Sequence, residues 1–230
     1  MPFTLDEIVP WGRSFPEYRE MFELEEADLA RRILGCADGP ASFNTTLTER
    51  GGRVVSADPI YEFDADELHD QIEATYDKIM EETHRNVGQF HWKQIESVED
   101  LGRVRMDAMH DFLADLPKGK REGRYVVGRL PALPFDDGEF DLALCAHFLF
   151  LYSDRLGLDF HVRSLTELAR VAPEVRVFPL LNLDGQRSPH VDATVGALEE
   201  AGYTVDIHTV SYHFRKGGNE LLTVRPPRPA

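Results

Sequence analysis

The chain has 230 residues and lacks most of the features that would announce its role. Two cysteines, Cys36 and Cys145, are too few for a disulfide framework, so the expected compartment is the reducing cytoplasm. No apolar run approaches the roughly 18 residues that a membrane span needs. The opening MPFTLDEIVPW carries an acidic residue early and no apolar h-region, unlike a signal peptide. Basic residues are scarce, 25 Lys and Arg against 41 Asp and Glu, and the formal net charge is -16. Such a surface repels phosphate backbones, which counts against a DNA or RNA partner. The acidity otherwise reads as solubility or as adaptation to a salty cytoplasm. Metal-site and nucleophile motifs are missing too. There is no HExxH, CxxC, G-x-S-x-G or P-loop lysine, and His69, His84, His91 and His110 show no ligand spacing along the chain, so no metal is expected.

What is present is a regular alternation of strand and helix patterns. Residues 24–31 read as a short helix leading into the strand RRILG. After the loop CADGPAS, Phe43 and Leu47 stand four apart on a second helix, which Gly51-Gly52 ends. The strand RVVSAD follows and closes at Asp58-Pro59. This strand, glycine loop, helix and strand form a βαβ unit and point to a parallel sheet. Residues 64–120 are charged and helical in pattern, too long for an ordinary crossover. They are expected to pack as a lid over the carboxyl ends of the strands, where open α/β sheets bind ligands.

Strands RYVVGRL, FDLALCAHFLF and EVRVFPLL come next, with a helix around 161–171 before the last of them. Just before the first of these, at the end of the helical stretch, the cluster from Lys118 to Arg124 reads as a solvated basic loop. Ser188-Pro189 is expected to open a helix whose apolar face is Val191, Val195 and Leu198, with Gly202 ending it. YTVDIHTV and NELLTVRP close the chain as an antiparallel pair. The whole is one doubly wound α/β domain, with an N-terminal cap over 1–23.

The strongest local signal is the loop from Gly35 to Phe43. Gly35 and Gly39 permit positive φ and close approach of a ligand to bare backbone. Helix N–H groups beyond them favour a polar or anionic group. Asp58 stands about 20 residues on, where this kind of fold accepts hydrogen bonds from ribose hydroxyls. Together they indicate an adenosine-containing cofactor. The spacing is not the G-x-G-x-x-G of a nicotinamide site.

At this point the chain resembles the class I S-adenosylmethionine-dependent methyltransferases, on GCADGPASF and on LPALPFDDGEFDLALCAHFLF. The resemblance covers about Ile33 to Pro226 without the helical insertion. It looks closest to an uncharacterised bacterial branch that shares WGRSF and FPLL. It implies a Rossmann-like sheet of seven strands in the order 3-2-1-4-5-7-6, the last antiparallel, and S-adenosyl-L-methionine as cofactor. The methionine end would lie over Gly35, Cys36, Ala37 and Gly39, with Cys145 beside them. Asp58 would hold the ribose, Pro59 and Ile60 the adenine face, and backbone near Leu130 the adenine edge. Arg13 would clamp the methionine carboxylate, whereas Trp11, Phe15 and Tyr18 read as core that packs its segment down.

His147, after the fourth strand, would be the base that deprotonates an acceptor. Tyr61, Tyr152 and His161 would line the acceptor pocket. The sequence departs from the family in a loop two residues longer, in Ile33 where an acid is common, and in Arg129 where an acid near the adenine is common. The implied activity is methyl transfer to a small molecule or protein. A non-catalytic adenosine-cofactor or protein-binding module, and a nicotinamide-dependent oxidoreductase, stand as alternatives.

Overall fold

The computed structural model describes residues 10–227. The expectations for the first nine residues, including the start of the cap segment, lie outside the described residues. Seven strands form one sheet: β1 (Arg32–Cys36), β2 (Arg53–Ala57), β3 (Tyr125–Val126), β4 (Leu142–Ala146), β5 (Val175–Phe178), β6 (Thr204–Thr209) and β7 (Glu220–Arg225). Their order is β3-β2-β1-β4-β5-β7-β6, as the resemblance implies. All neighbours run parallel except β7, which is antiparallel to both β5 and β6. The strand order reverses between β1 and β4, where Gly35 pairs with Leu144 and Cys36 with Cys145.

The central strands are apolar along their whole length because both faces are covered. All five residues of β4 are buried. Alternate residues feed opposite cores, as the two-residue repeat of a strand requires. Leu34, Cys36, Ala143 and Cys145 pack on one face with Leu165, Leu168, Val191 and Leu198. Those last four lie on α6 (Leu158–Val171) and α7 (Val191–Glu200). Ile33, Leu142 and Leu144 pack on the other face with Phe15, Tyr18, Phe43 and Leu47. These belong to α1 (Phe15–Met21) and α3 (Phe43–Glu49), which with the short α2 (Glu26–Leu29) cover that side. Ile33 is therefore a core residue, fully buried.

Between β2 and β3 run two long helices, α4 (Ala65–Arg85) and α5 (Val98–Arg121). Each begins at a side-chain cap: Asp64 accepts from the Glu67 N–H, and Ser97 from that of Asp100. Leu68 and Ile72 of α4 share a core with Phe112, Leu113 and Leu116 of α5 and with Tyr61 and Tyr125. The basic cluster expected as a loop is instead largely the last turn of α5. Lys118, Lys120 and Arg121 sit there, at the negative end of the helix dipole. Arg124 just beyond is buried and pairs with Asp115 at 2.6 and 2.8 Å.

Two other boundaries differ from the sequence reading. β3 keeps only two paired residues of the expected seven, being an edge strand whose chain turns away after Val126. Helix α7 begins at Val191, capped by His190 without a side-chain bond. The Ser188 hydroxyl accepts from the His190 N–H one step earlier, and Pro189 stands outside the helix.

The connection between α4 and α5 reaches across to the loop between β6 and β7. The His91 N–H donates to the Phe214 carbonyl at 2.7 Å, and that of Lys216 to the Gln89 carbonyl at 2.9 Å. These two segments face each other over the carboxyl ends of β1, β4 and β5.

Candidate functional site

Beneath that crossing lies a cavity of about 580 Å³. It opens at the reversal of strand order, the general ligand position of doubly wound sheets. One end is built from the loop after β1. Ala37 and Gly39 take positive φ, 56° each, so the left-handed turns fall at these two residues. Gly35 is needed for another reason than the one expected. A Cβ there would lie 1.8 Å from the Asp38 carboxylate, and Gly35 does not line the cavity.

Asp38 accepts from the Tyr18 hydroxyl at 2.8 Å and from the Ser56 hydroxyl at 2.7 Å. Burial pushes its carboxyl up to about 6, with neighbouring Asp58 adding to the rise against those two hydrogen bonds. Asp58 accepts one N–H on each oxygen, from Gly39 at 2.9 Å and from Ile60 at 3.0 Å. Each carboxylate oxygen has two acceptor sites, so Asp58 keeps capacity for a ligand hydroxyl. Pro59, Ile60, Arg129 and Leu130 continue the wall.

The segment before α1 lies down on this loop. A Cβ at Gly12 would sit 2.0 Å from the Pro40 carbonyl oxygen, so only glycine permits the approach. The Ser42 N–H donates to the Arg13 carbonyl at 3.1 Å. Arg13 is half-buried and lines the cavity. One Nη donates to the Trp11 carbonyl at 2.5 Å, while Nε has no partner. Burial and the nearby Arg105 lower its pKa to about 10, which leaves it cationic at neutral pH.

Behind Arg13, the Arg105 guanidinium of α5 grips Glu17 of α1 with both Nη atoms, at 2.5 and 2.7 Å. The Tyr212 hydroxyl donates to the same carboxylate at 2.8 Å. Burial works to raise the Glu17 carboxyl, but Arg105, Arg13 and the Ser14 N–H together hold it at about 2. One carboxylate thus joins the cap, the insertion and the loop before β7.

The other end of the cavity is apolar. Phe148, Phe160, Phe178, Phe90 and Phe214 supply rings, and Tyr152 adds another. His147 stands between the two ends, at a φ of 52° that non-glycine residues rarely adopt. Its N–H donates to the Phe178 carbonyl at 2.6 Å, and its ring meets the Phe178 ring edge-on at 5.7 Å. Burial, with Arg13, Arg105 and Arg215 nearby, holds the imidazole well below its usual pKa and therefore neutral; Nδ1 is buried without a partner.

Of the sequence-derived site residues, Arg13, Cys36, Ala37, Gly39, Asp58, Pro59, Ile60, Leu130, His147 and Tyr152 all line the cavity. Four do not. Gly35 is displaced by Asp38. Cys145 is wholly buried in the sheet under Ala146. Tyr61 lies in the core of the insertion, with its hydroxyl donating to the Gly39 carbonyl at 2.8 Å, so it braces the loop from behind. His161 is sealed in α6, its two ring nitrogens 2.9 and 3.0 Å from the carbonyls of Gly157 and Leu149. Burial raises both thiols, that of Cys145 to about 12, so neither is a thiolate at neutral pH.

Sequence reading missed Asp38, Arg105, Tyr212, Phe214 and Arg215 and assigned Tyr18 to packing alone. Only Asp38 carried a local signal, its place inside the glycine loop. It also missed that His69 and Glu73 stand one helical turn apart on α4, beside His110 of α5. One ligand atom from each lies within 4.8 Å of the others, on an exposed face away from the cavity.

The strand order, with β7 antiparallel, is that of the class I methyltransferases, and this chain has that fold. The chain belongs to the family of the uncharacterised protein MJ0045 of Methanocaldococcus jannaschii. The two are 34% identical over 224 residues, which span 96% of this chain and 98% of that protein. That relative is archaeal, where the sequence pattern had suggested a bacterial branch. No family model matches the chain. Among solved structures it is similar to magnesium protoporphyrin IX methyltransferase of Synechocystis with bound S-adenosylhomocysteine, at 14% identity and a TM-score of 0.44, over 87% of this chain and 77% of that one. It is likewise similar to a TehB-like S-adenosylmethionine-dependent methyltransferase of Corynebacterium glutamicum, at 16% identity and a TM-score of 0.43, over 86% and 81%. Likenesses this distant add nothing to what the strand order establishes.

Proposed function

We propose that this protein is an S-adenosylmethionine-dependent methyltransferase acting on a small-molecule acceptor. The observation that carries the reading is the pairing of two unfilled polar features across the loop after β1. Arg13 presents an unpartnered Nε on one side, and Asp58 keeps free acceptor capacity on the other. They suit the two ends of an adenosyl amino acid. Arg13 would take the methionine carboxylate, Cys36, Ala37 and Gly39 the middle of the molecule, and Asp58 the ribose hydroxyls. Pro59 and Ile60 would flank the adenine, with Leu130 at its edge.

When bound, the cofactor supplies an electrophilic methyl group on sulfur. The protein has to align an acceptor with it and keep water out. The hydrogen-bonded crossing of the two loops above the cavity supplies the cover. The same cover favours a small molecule over a protein side chain. His147 is neutral, the form that takes a proton from the acceptor, and an anionic acceptor that offsets the three arginines would strengthen it as a base. Two buried free thiols in cross-strand register suit the cytoplasm.

Calorimetry with S-adenosylhomocysteine, run beside NAD, tests the reading. Micromolar binding of the first, abolished in Asp58→Ala, is the expected outcome. Binding of NAD in its place makes the protein a nicotinamide enzyme, and binding of neither makes it a non-catalytic module. In a subsequent acceptor screen, His147→Ala should slow turnover by about a hundredfold or more without weakening cofactor binding. Full activity in that variant removes His147 as the base.

A further inference from the structure

The cavity inverts the charge of the molecule that contains it. The chain carries a formal net charge of -16, yet four arginines and two aspartates line the cavity. Arg105 is matched by Glu17, and Arg129 is exposed to solvent. Arg13 and Arg215 remain. Among the described residues, neither has a carboxylate within ion-pair distance, and the Nε of each is buried without a partner. Arg13 sits over the loop after β1. Arg215 sits at the opposite, aromatic end, on the loop between β6 and β7.

Arg215 is held, not loose. One Nη donates to the Leu183 carbonyl at 2.6 Å and to the Gln89 side-chain oxygen at 3.0 Å. Both acceptors are neutral, so they orient the guanidinium without cancelling its charge. Arg215 is half-buried, and the Asp184 carboxylate acts on its charge from beyond ion-pair distance, so the guanidinium keeps the capacity to pair directly with an arriving anion. The surrounding walls are apolar. Phe90 and Phe214 meet at 5.0 Å beside Arg215, and Phe148 and Phe160 pair at 6.3 Å. Each pair is in direct contact, and a flat apolar body fits against the wall the two pairs make.

We propose that Arg215 is the anchor of an anion-binding acceptor subsite, and that the acceptor is a small, apolar, aromatic molecule bearing a carboxylate or phosphate group. The term acceptor rests on the methyltransferase reading; the anion site itself does not. Bound this way, the acid end of the molecule lies at Arg215. Its body runs along the phenylalanine rings towards His147, and the atom to be methylated lies at the far end from the acid. The Arg215 backbone is part of the crossing with residues 89–91, through a bridge to Phe90. Binding of the anion therefore also tightens the cover over the site.

The test uses 2-naphthoate as probe on the full-length protein, with and without saturating S-adenosylhomocysteine. Naphthalene-2-carboxamide serves as the neutral isostere and 2-naphthyl phosphate as the second anion. Both anions should bind at least about tenfold more tightly than the carboxamide, the scale of a charged hydrogen bond. Whichever anion binds more tightly identifies the source of the charge. Arg215→Gln should erase that preference and Arg215→Lys restore part of it, while both variants keep wild-type affinity for S-adenosylhomocysteine as the control for folding. Equal binding of naphthoate, phosphate and carboxamide overturns the proposal, and so does an anion preference that survives Arg215→Gln. Failure of S-adenosylhomocysteine to bind overturns the methyltransferase reading alone, because the naphthoate titration without it still decides the anion site.

Discussion

The two ends of the cavity are built in opposite ways. The end at the loop after β1 is compact in sequence, residues 36–40 and 57–60, and its polar groups hold one another. Asp38 and Asp58 accept four hydrogen bonds between them, from Tyr18, Ser56, Gly39 and Ile60. The aromatic end is assembled from residues scattered between Phe90 and Arg215, and unpaired nitrogens stand on Arg13 at the first end, on His147 between the two and on Arg215 at the second. A site that must hold one fixed cofactor is well served by backbone and short local contacts. A site for a particular acceptor is drawn from insertions and loops, which vary without disturbing the sheet. The Glu17 and Arg105 pair sits where the two ends meet.

Breaking that pair should have the largest effect of any single change here. Arg105→Ala leaves Glu17 buried with Tyr212, Arg13 and a backbone N–H but no bidentate partner. A loss of about 3 to 5 kcal/mol in unfolding free energy is expected. Replacing both residues with methionine should cost much less, because no charge is stranded. Urea denaturation of the two variants measures the difference. Equal losses would mean that the pair acts through volume and not through charge.

This contrast also explains what was legible in the sequence. The strand order and the loop after β1 depend on local patterns: apolar runs for buried strands, glycines at a turn, an acid at the end of β2. Those patterns survive reading one residue at a time. The Glu17 to Arg105 contact spans 88 positions and the Glu17 to Tyr212 contact 195, and no local pattern marks either. Tyr61 and His161 misled for the complementary reason. Tyr61, just after β2, and His161, at the head of a helix, were read as pocket wall, but backbone carbonyls facing each ring hold both in the core. The short β3 and the late start of α7 were missed because edge pairing and helix entry are settled by neighbours, not by propensity.

A second prediction concerns pH and the cofactor end. An acid whose folded pKa lies above its unfolded value holds its proton more tightly when folded. Asp38, raised to about 6 from an ordinary 3.8, therefore contributes stability that is fully present below about pH 4. That contribution is lost as pH rises through 6, a decline of about 3 kcal/mol if Asp38 acts alone. Glu17 works the other way lower down, gaining as pH climbs from about 2 through the ordinary glutamate range. Neutral, buried His147 works in the opposite sense over the same range, so the readout is the difference: from pH 4 to 7 the urea midpoint of the wild type should drop relative to that of Asp38→Asn. The same slope in both would clear Asp38 of the effect. Asp58, raised by burial, and His147 and His161, lowered by it, contribute slopes of opposite sign that both proteins share.

The smallest effect sharpens the comparison most. Arg13 and Arg215, one at each end, both lack a carboxylate within ion-pair distance among the described residues, and they should answer to different ligands. Arg13→Ala should weaken S-adenosylhomocysteine by about tenfold, the scale of one charged hydrogen bond. It should leave the preference of the protein for naphthoate over its carboxamide in place. The guanidinium is held only by the Trp11 carbonyl, so its removal strands no buried partner and the fold should survive, as a melting curve would show. If Arg13→Ala changed the affinity for naphthoate as strongly as that for S-adenosylhomocysteine, the two cations would form one field and the cavity would have a single anion site. If it changed neither, the clamp on the methionine carboxylate would be gone, and the cofactor end would depend on Asp58 and the loop after β1 alone.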